Sequence, residues 1–538
     1  MRSRQQPAAR AEGFKERVTW VHLLVGIVVW VIFVFSYHAR TEESTGLAQP
    51  EPLRPQAPAE AGALRAARGA DGGFVAPTLP LDGHSADVVA EFGVAAASSL
   101  AALQSKLYYW KLDPLYNSGI GRLPTSPGDR YVLFLTDCGG FNNIRMAFEY
   151  FVLMAWLTRR TLVLPPPAGW YLIDFGPMKR MQMTTSKHSV TEYKEFFDIE
   201  HLQAAVPIIS AEEFVRREGD RLALPANLVD ADWSSPESER AWKSWMKSSA
   251  SDNEQRYSLP WSPLSKLVMF PSIAAVQAQY PDGVPRDFVH HRELVELTPA
   301  MNAAPLISFP SCRNNEDFRF LVQVNTFAAF ADEALSRSYK RMLRDHVHYR
   351  SIVFDIAARV IRELGPFRFA ALHVRRNDLQ YKEVFLSAQD TLNNVRALLR
   401  PGEKLYIATD ETNANFFEAF EKEYEVFQWK DFFGPRGNYA LRGVDIPRKL
   451  EGCIEQVICA LARVFAGTLE STFSSYIFRL RGYYHAPNTE VYFNTLKYTG
   501  NVKQDRARTY SRKPLKGQIY KSEHPSIWED AELPHTTW

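Results

Sequence analysis

The sequence predicts an α/β protein with parallel sheets, because short apolar, β-prone runs alternate with segments of helical pattern. The clearest run is Phe369 to Val374, which ends abruptly at Arg375, Arg376 and Asp378. A buried parallel strand that leaves the core has this pattern. Ligands bind outside the carboxyl ends of strands in such sheets, so the polar side chains here indicate a site, and paired arginines suit a phosphate or diphosphate. Surface ion pairs would explain the same arginines.

A glycine-rich turn separates the predicted strand Tyr131 to Leu135 from a predicted helix, Met146 to Arg159, and a second strand, Thr161 to Leu164. The turn consists of Asp137, Cys138, Gly139, Gly140, Phe141, Asn142 and Asn143. Strand, glycine-rich turn and helix in this order place backbone N–H groups against a ligand. A tight turn that needs glycine only for its backbone is the alternative.

A third segment near the C-terminus contains a predicted helix, Glu455 to Arg463, and a strand, Val464 to Ala466. The hydroxyl-rich turn Gly467 to Ser475 then leads into another helix, Tyr476 to Arg481. Hydroxyls at a strand-to-helix turn can cap the helix or donate to phosphate oxygens. The sequence leaves both roles open.

Further predicted elements continue the alternation. They are a long helical stretch at about 331–364, a helix near 390–399, a strand at 405–408, a helix at 413–424 and a strand at 426–429.

Three motifs in order carry a family resemblance: GGFNNIRMAFE, LHVRRND and EQVICALARVFAGTLESTFSSYIFRLRGY. Together they resemble the GDP-fucose protein O-fucosyltransferase family, within the His-x-Arg-Arg fucosyltransferase superfamily. The resemblance implies a GT-B-like fold of two Rossmann-like domains facing a cleft. The acceptor-side domain would cover 128–365, the nucleotide-sugar domain 366–500 and a C-terminal tail 501–538. The implied reaction moves fucose from GDP-fucose to a hydroxyl of a protein or glycan acceptor, with no cofactor.

The resemblance also assigns residues. It implies catalytic roles for Arg375, which would stabilise the leaving diphosphate, and for Asn143. The implied GDP-fucose-binding residues are Gly139, Gly140, Phe141, Asn142, Asn143, His373, Arg375, Glu455, Thr472 and Phe473. The period of two along a strand puts His373 and Arg375 on one face and Arg376 on the other.

The chain departs from the family at two of these positions. Glu455 stands where the family usually carries an aspartate, and Gly139 stands where some members place a glutamate base. Either Asp137 would act as a substitute base, or the reaction would proceed without an enzyme base.

Other functions remain as alternatives. A metal-dependent transferase would use Asp230 and Asp232, which form an Asp-x-Asp triplet, but we expect no metal. A membrane-tethered, lectin-like protein of the same fold, or a transferase that uses another nucleotide sugar, is also compatible with the sequence.

The N-terminus indicates a membrane protein. Residues 18–37 form an apolar run long enough to span a bilayer, and basic residues precede it within 1–17. We therefore expect a cytosolic tail, a single transmembrane signal anchor and a stem over 38–127 that is largely disordered at first. The catalytic part would lie in the lumen of the Golgi or the ER.

The net charge bears on possible partners, and the cysteine count bears on possible disulfide bonds. The net charge is +2, so we expect no nucleic-acid partner. The four cysteines allow three pairings. We expect no bond between Cys453 and Cys459, because they lie on different faces of one predicted helix.

Overall fold

The structure is a computed structural model. It describes residues 83–110, 128–174, 190–248, 255–259, 261–279, 292–310, 319–321, 327–376, 385–469, 471–486, 523 and 526–532. All of these belong to one compact unit, Ala66–Trp538.

The first sheet has five parallel strands in the order β3-β2-β1-β7-β4. They are β1 (Tyr131–Phe134), β2 (Thr161–Leu164), β3 (Ile208–Ser210), β4 (Arg256–Ser258) and β7 (Leu306–Phe309). Strand β1 is central and all four of its residues are buried. Its carboxyl end therefore delivers the glycine-rich turn to the middle of the sheet edge.

The second sheet has four parallel strands in the order β11-β10-β9-β12. They are β9 (Ala370–Val374), β10 (Lys404–Thr409), β11 (Glu425–Phe427) and β12 (Val464–Ala466). Strand β9 is buried along its whole length, and Leu372 pairs with Ile407 on one side and Ala466 on the other. Burial on both faces explains why its sequence is a continuous apolar run rather than an alternating one.

A third, smaller parallel sheet has the order β6-β5-β8. Its strands are β5 (Lys266–Phe270), β6 (Glu293–Val295) and β8 (Ala328–Phe330).

Helices surround and connect the sheets. They are α1 (Gly83–Ser98), α2 (Leu100–Leu107), α3 (Phe141–Thr158), α4 (Ile199–Leu202), α5 (Ala211–Glu218), α6 (Ala226–Val229), α7 (Glu237–Ser248), α8 (Ile273–Gln279), α9 (Pro299–Ala303), α10 (Glu333–His346), α11 (Ser351–Leu364), α12 (Ala388–Val395), α13 (Glu418–Glu421), α14 (Glu451–Ala460), α15 (Thr472–Tyr483) and α16 (Ser526–Glu532). Short 3₁₀ turns cover Tyr193–Glu195, Arg396–Leu398, Trp429–Phe433, Pro435–Gly437 and Arg448–Leu450.

Four of the helices position the site. Helix α3 follows β1 directly and is buried almost throughout. Helix α15 follows β12 and contacts α3, while α14 packs against both α11 and α15. The two glycine- or hydroxyl-rich turns therefore approach each other at the N-terminal ends of α3 and α15.

The predicted α/β class with parallel sheets is confirmed, but two helix predictions are wrong in detail. The stretch at 331–364 is two helices, because the chain is extended at Arg350 and Tyr349 bridges to Phe197. The helix at 413–424 is reduced to α13, since the Asn413 side chain accepts a hydrogen bond from the Asn415 N–H and competes with helix formation.

Both ends of the chain hold folded segments next to residues that are not described. Helices α1 and α2 fold within the range predicted as stem, and Phe92, Leu103 and Leu107 are buried in the main core. Helix α16 lies in the predicted C-terminal tail and packs on α10 and α15. The predicted anchor, 18–37, lies outside the described residues, and no helix of the described part is long and apolar enough to cross a membrane.

Candidate active site

The glycine-rich turn is fixed by an ion pair. The Asp137 carboxylate accepts the Gly139 N–H at 2.8 Å and also accepts from Arg319, whose Nε lies 3.1 Å from Oδ2. A side chain at Gly139 would collide with the Arg319 guanidinium and with Asn143. Two consequences follow for a catalytic base. The position where the family glutamate would stand is filled by neighbours, and the substitute Asp137 is committed to Arg319.

The two asparagines that begin α3 connect the first and third motifs. The Asn142 side-chain oxygen Oδ1 accepts the Gln456 side-chain N–H at 3.1 Å, and Asn142 is only 6% exposed. The Asn143 side-chain oxygen Oδ1 accepts a hydrogen bond from the Thr472 hydroxyl at 3.1 Å. Asn143 and Thr472, predicted from separate motifs, are therefore neighbours.

Gly140 and Phe141 have mainly packing contacts. Gly140 is the N-cap of α3 and carries no side-chain cap. The half-buried Phe141 ring lies 4.5 Å from Phe196 and 5.9 Å from Tyr349, measured between ring centroids. The structure shows no polar side chain at these two positions, so any ligand contact would come from backbone or ring atoms.

The carboxyl end of β9 presents His373 and Arg375. His373 is 6% exposed, and its ring stacks on Phe473 with centroids 4.3 Å apart. Burial, reinforced by the nearby Arg375, lowers the pKa of His373 to about 3. The imidazole is therefore neutral over the physiological range.

Thr468 joins the end of β9 to the third motif. Its hydroxyl accepts the Arg375 N–H at 2.9 Å and donates to the His373 carbonyl at 2.7 Å. The backbone that carries both predicted ligand residues is thereby held by one fully buried side chain. We did not predict this role for Thr468, and only its place in the hydroxyl-rich turn pointed to it.

Arg376 makes structural contacts, as its opposite orientation predicts. Its Nε donates to Glu411 at 2.7 Å, its Nη1 donates to the Leu386 carbonyl at 2.7 Å, and its guanidinium lies 4.2 Å from the Phe416 ring centroid. The nearby Asp378 lies outside the described residues, and among the described ones Glu411 supplies a carboxylate partner.

Glu455 is half-buried on α14 and accepts the Tyr406 hydroxyl at 2.8 Å. Desolvation is the main cause that raises its pKa to about 8. Glu455 is thus mostly protonated at neutral pH and can donate a hydrogen bond as well as accept one. The glutamate that replaces the family aspartate is therefore not a permanent negative charge at neutral pH.

The N-terminus of α15 is polar but uncapped. Ser471 occupies the N-cap without making a side-chain cap bond, and its buried hydroxyl has no partner among the described residues. Helix N-termini carry partial positive charge and unsatisfied N–H groups. Simple capping, one of the two roles left open by the sequence, is therefore not what Ser471 provides.

A cluster of four buried charges links α3 to α15 behind the site. It consists of Arg145, Glu149, Arg479 and Glu523, with side chains at most 2% exposed. Arg479 lies 2.7 Å from Glu149 and 2.8 Å from Glu523, and Arg145 lies 2.6 Å from Glu149 and 3.4 Å from Glu523. The Tyr476 ring packs under Arg145, 3.7 Å from ring centroid to guanidinium. No sequence pattern near Glu523 predicts its contacts with Arg145 and Arg479.

The remaining predicted residues lie apart from these contacts. Asp230 ends α6, and the exposed Asp232 accepts hydrogen bonds from the Ser234 N–H and hydroxyl, which lower its pKa. Within the described residues no group of three or more metal-ligating side chains is placed to hold an ion. Cys453 and Cys459 are free and buried, which confirms that they do not bridge each other. Cys138 is in a disulfide.

A parallel α/β fold that brings a glycine-rich turn, a His-x-Arg strand end and an uncapped helix N-terminus together suits an enzyme that binds a nucleotide diphosphate. The family described as GDP-fucose protein O-fucosyltransferase matches residues 131–484. The chain belongs to this family and is a glycosyltransferase, as the motifs predicted. No curated protein matches the chain by sequence.

Several solved fucosyltransferases are similar at low identity. POFUT1 in complex with GDP is 15% identical, with 68% of this chain and 99% of that chain covered and a TM-score of 0.36. NodZ from Bradyrhizobium is 15% identical, with 68% and 96% covered and a TM-score of 0.33. A variant of Arabidopsis thaliana FUT1 in complex with GDP is 11% identical, with 77% and 81% covered and a TM-score of 0.33.

Proposed function

We propose that the chain transfers fucose from GDP-fucose to a hydroxyl of a protein or glycan acceptor, without a metal ion. Family membership supports the donor. The observation that carries the proposal is the convergence of the three motifs: Asn143 contacts Thr472, and Thr468 holds the His373–Arg375 backbone.

The chemistry of the proposed site follows from these contacts. Cleavage of the anomeric C–O bond leaves negative charge on the β-phosphate of GDP. Arg375 and the uncapped N-terminus of α15 would neutralise that charge. Asn143 and Thr472 would orient the sugar-nucleotide between α3 and α15. With Asp137 bound to Arg319 and Gly139 without a side chain, no carboxylate of the turn is available as a base, which favours departure of GDP through an oxocarbenium-like state.

The remaining binding assignments belong to the same proposal. Glycines 139 and 140 would allow close approach of the backbone, and Phe141 and Asn142 would support the turn. Phe473 and the protonated Glu455 would lie toward the nucleotide. The domain limits 128–365 and 366–500 remain a prediction.

Donor turnover tests the proposed reaction. Purified protein incubated with GDP-fucose, other GDP-sugars and UDP-sugars should hydrolyse GDP-fucose fastest, and GDP should raise its melting temperature. Faster turnover of another nucleotide sugar would change the donor assignment, whereas no stabilisation by GDP or any nucleotide would reject the site itself.

We also propose that the protein is anchored in the Golgi or ER membrane with residues 38–538 in the lumen. The basic flank and length of the apolar run at 18–37 support this topology. Protease added to sealed microsomes should leave the large domain intact. Digestion of the large domain would show that it faces the cytosol and would contradict the proposed orientation.

A further inference from the structure

A chain of hydrogen bonds runs from the third motif to the His373 ring. The Thr468 N–H donates to the Ser474 hydroxyl oxygen at 3.0 Å, and this oxygen lies 2.7 Å from His373 Nδ1. Thr468 and Ser474 are fully buried. The approach is close because Gly467 has no side chain, and a Cβ there would collide with Ser474.

This arrangement decides which ring nitrogen of His373 carries the proton. A backbone N–H can only donate, so the Ser474 oxygen already accepts one hydrogen bond. Among the residues that the structure describes, His373 Nδ1 is the one acceptor within reach of the Ser474 hydroxyl proton. A proton on Nδ1 would leave that buried hydroxyl without an acceptor, at a cost of about 1–3 kcal/mol. Nδ1 is therefore the acceptor and Nε2 carries the hydrogen.

The Nε2 atom faces away from these partners. Among the described residues Nε2 has no hydrogen-bond partner, and His373 keeps a small exposed fraction of 6%. The low pKa of His373, about 3, keeps the ring from becoming a cation at neutral pH. The imidazole thus offers a single neutral N–H donor at the strand end that also carries Arg375.

We infer that Ser474 is a positioning residue, which holds His373 in the Nε2–H form so that the ring donates to an oxygen of the donor's diphosphate. The identity of this oxygen rests on the proposed function, but the tautomer does not. His373 then cannot act as the base that removes the acceptor's proton, because its only lone pair is bound to Ser474. Its hydrogen bond would strengthen as charge builds on the leaving phosphate.

Nitrogen chemical shifts of histidine test the tautomer directly. The full-length protein, labelled with ¹⁵N-histidine and without ligand, should show a resonance pair with unprotonated Nδ1 and protonated Nε2 at pH 7. The pair is assigned by its loss in a His373→Gln variant. A protonated Nδ1 in the wild type would overturn the inference, and this measurement does not depend on any variant of Ser474 folding.

Kinetics of two neighbouring serines test the positioning role. Ser474→Ala should lower kcat for GDP-fucose hydrolysis roughly tenfold, with a smaller change in KM, because one directed hydrogen bond is lost. Ser475→Ala is the matched control, since its hydroxyl donates to the Ser471 carbonyl at 3.3 Å. Equal kcat for the two variants would overturn the role.

The glutamine variant tests what His373 offers the ligand. A glutamine amide places an N–H donor near the position of Nε2, so His373→Gln should bind GDP more tightly than His373→Ala. Equal binding by both would overturn the donor role. The two proposals can fail separately. If the wild-type protein does not bind GDP but His373 has the inferred tautomer, the proposed function is wrong, whereas the positioning of the ring by Ser474 is retained.

Discussion

Replacing Glu523 with glutamine should destabilise the whole catalytic unit, although Glu523 lies outside the family match, which ends at residue 484. Its carboxylate contacts Arg479 at 2.8 and 2.9 Å and Arg145 at 3.4 Å. Glu149 is the second carboxylate, so among the described residues of the cluster two positive and two negative charges face each other. The glutamine variant leaves one net positive charge in the same volume.

The magnitude follows from the cost of an unpaired buried charge. Removing one partner of a buried ion pair costs about 3–5 kcal/mol. Glutamine keeps the volume and one hydrogen-bond acceptor, so we expect the lower end of that range. Because α3 and α15 begin at the site and are joined by this cluster, donor turnover should also be lost at a lower temperature.

Thermal and urea unfolding of the full-length protein measure the effect. Glu529→Gln removes the same charge from an exposed position on α16 and should shift stability by no more than about 0.5 kcal/mol. A double variant, Arg145→Met with Glu523→Gln, restores neutrality and should lose less than the sum of the single changes. Unfolding of Glu523→Gln at the wild-type midpoint would refute the account of the cluster.

Four further predictions concern the proposed site. Arg375→Lys loses the planar guanidinium and should lower kcat by a factor of about 10²–10³. Arg376→Lys should mainly lower the melting temperature. Equal kcat for Arg375→Lys and the wild type would remove the catalytic assignment. Gly139→Ala should displace Asn143 and Arg319 and reduce donor turnover at least about tenfold. Gly128→Ala is the control, because a Cβ there meets no atom within 4 Å and activity should be retained. Equal losses in the two variants would contradict the packing argument. Burial raises the pKa of Glu455 to about 8, so its contribution to stability is complete below about pH 4.5 and is lost as the pH rises through about 8. The melting temperature of Glu455→Gln, measured relative to that of the wild type, should therefore rise between pH 5 and pH 9. Parallel pH profiles of the two melting temperatures would exclude this titration. Donor turnover should survive excess EDTA, and a loss that manganese restores would show metal dependence.

The sequence predicted those parts of the site that lie at ends of strongly patterned elements. Strand β9 is apolar throughout because it is buried on both faces, so the change to His373 and Arg375 marked its carboxyl end. The period of two also agrees with the different contacts of the two side chains, since Arg376 contacts Glu411 whereas His373 contacts Ser474. Matching two motifs to one family placed Asn143 and Thr472 in the same candidate site, but their direct contact, across 329 positions, was not predicted.

Contacts that depend on long loops could not be predicted in this way. Arg319 reaches Asp137 from 182 positions away, and nothing in its neighbourhood distinguishes it from a surface arginine. The hydroxyl-rich turn indicated polar contacts but not that Ser474 would bind the His373 ring. The predicted long helix at 331–364 failed because a tertiary bridge at Tyr349 outweighed local helix propensity.

The position of Glu523 has a consequence for biosynthesis. A chain emerges from the ribosome N-terminus first, and domains generally begin to fold during synthesis. The helices that contain Arg145 and Arg479 are complete well before Glu523 is made, so until then their charges are balanced by Glu149 alone. The nascent protein can therefore pair the four charges of this cluster only after residue 523 has been made. Premature termination just after the third motif would release a chain with every proposed donor-binding residue and an unfinished interior, a ready substrate for quality control.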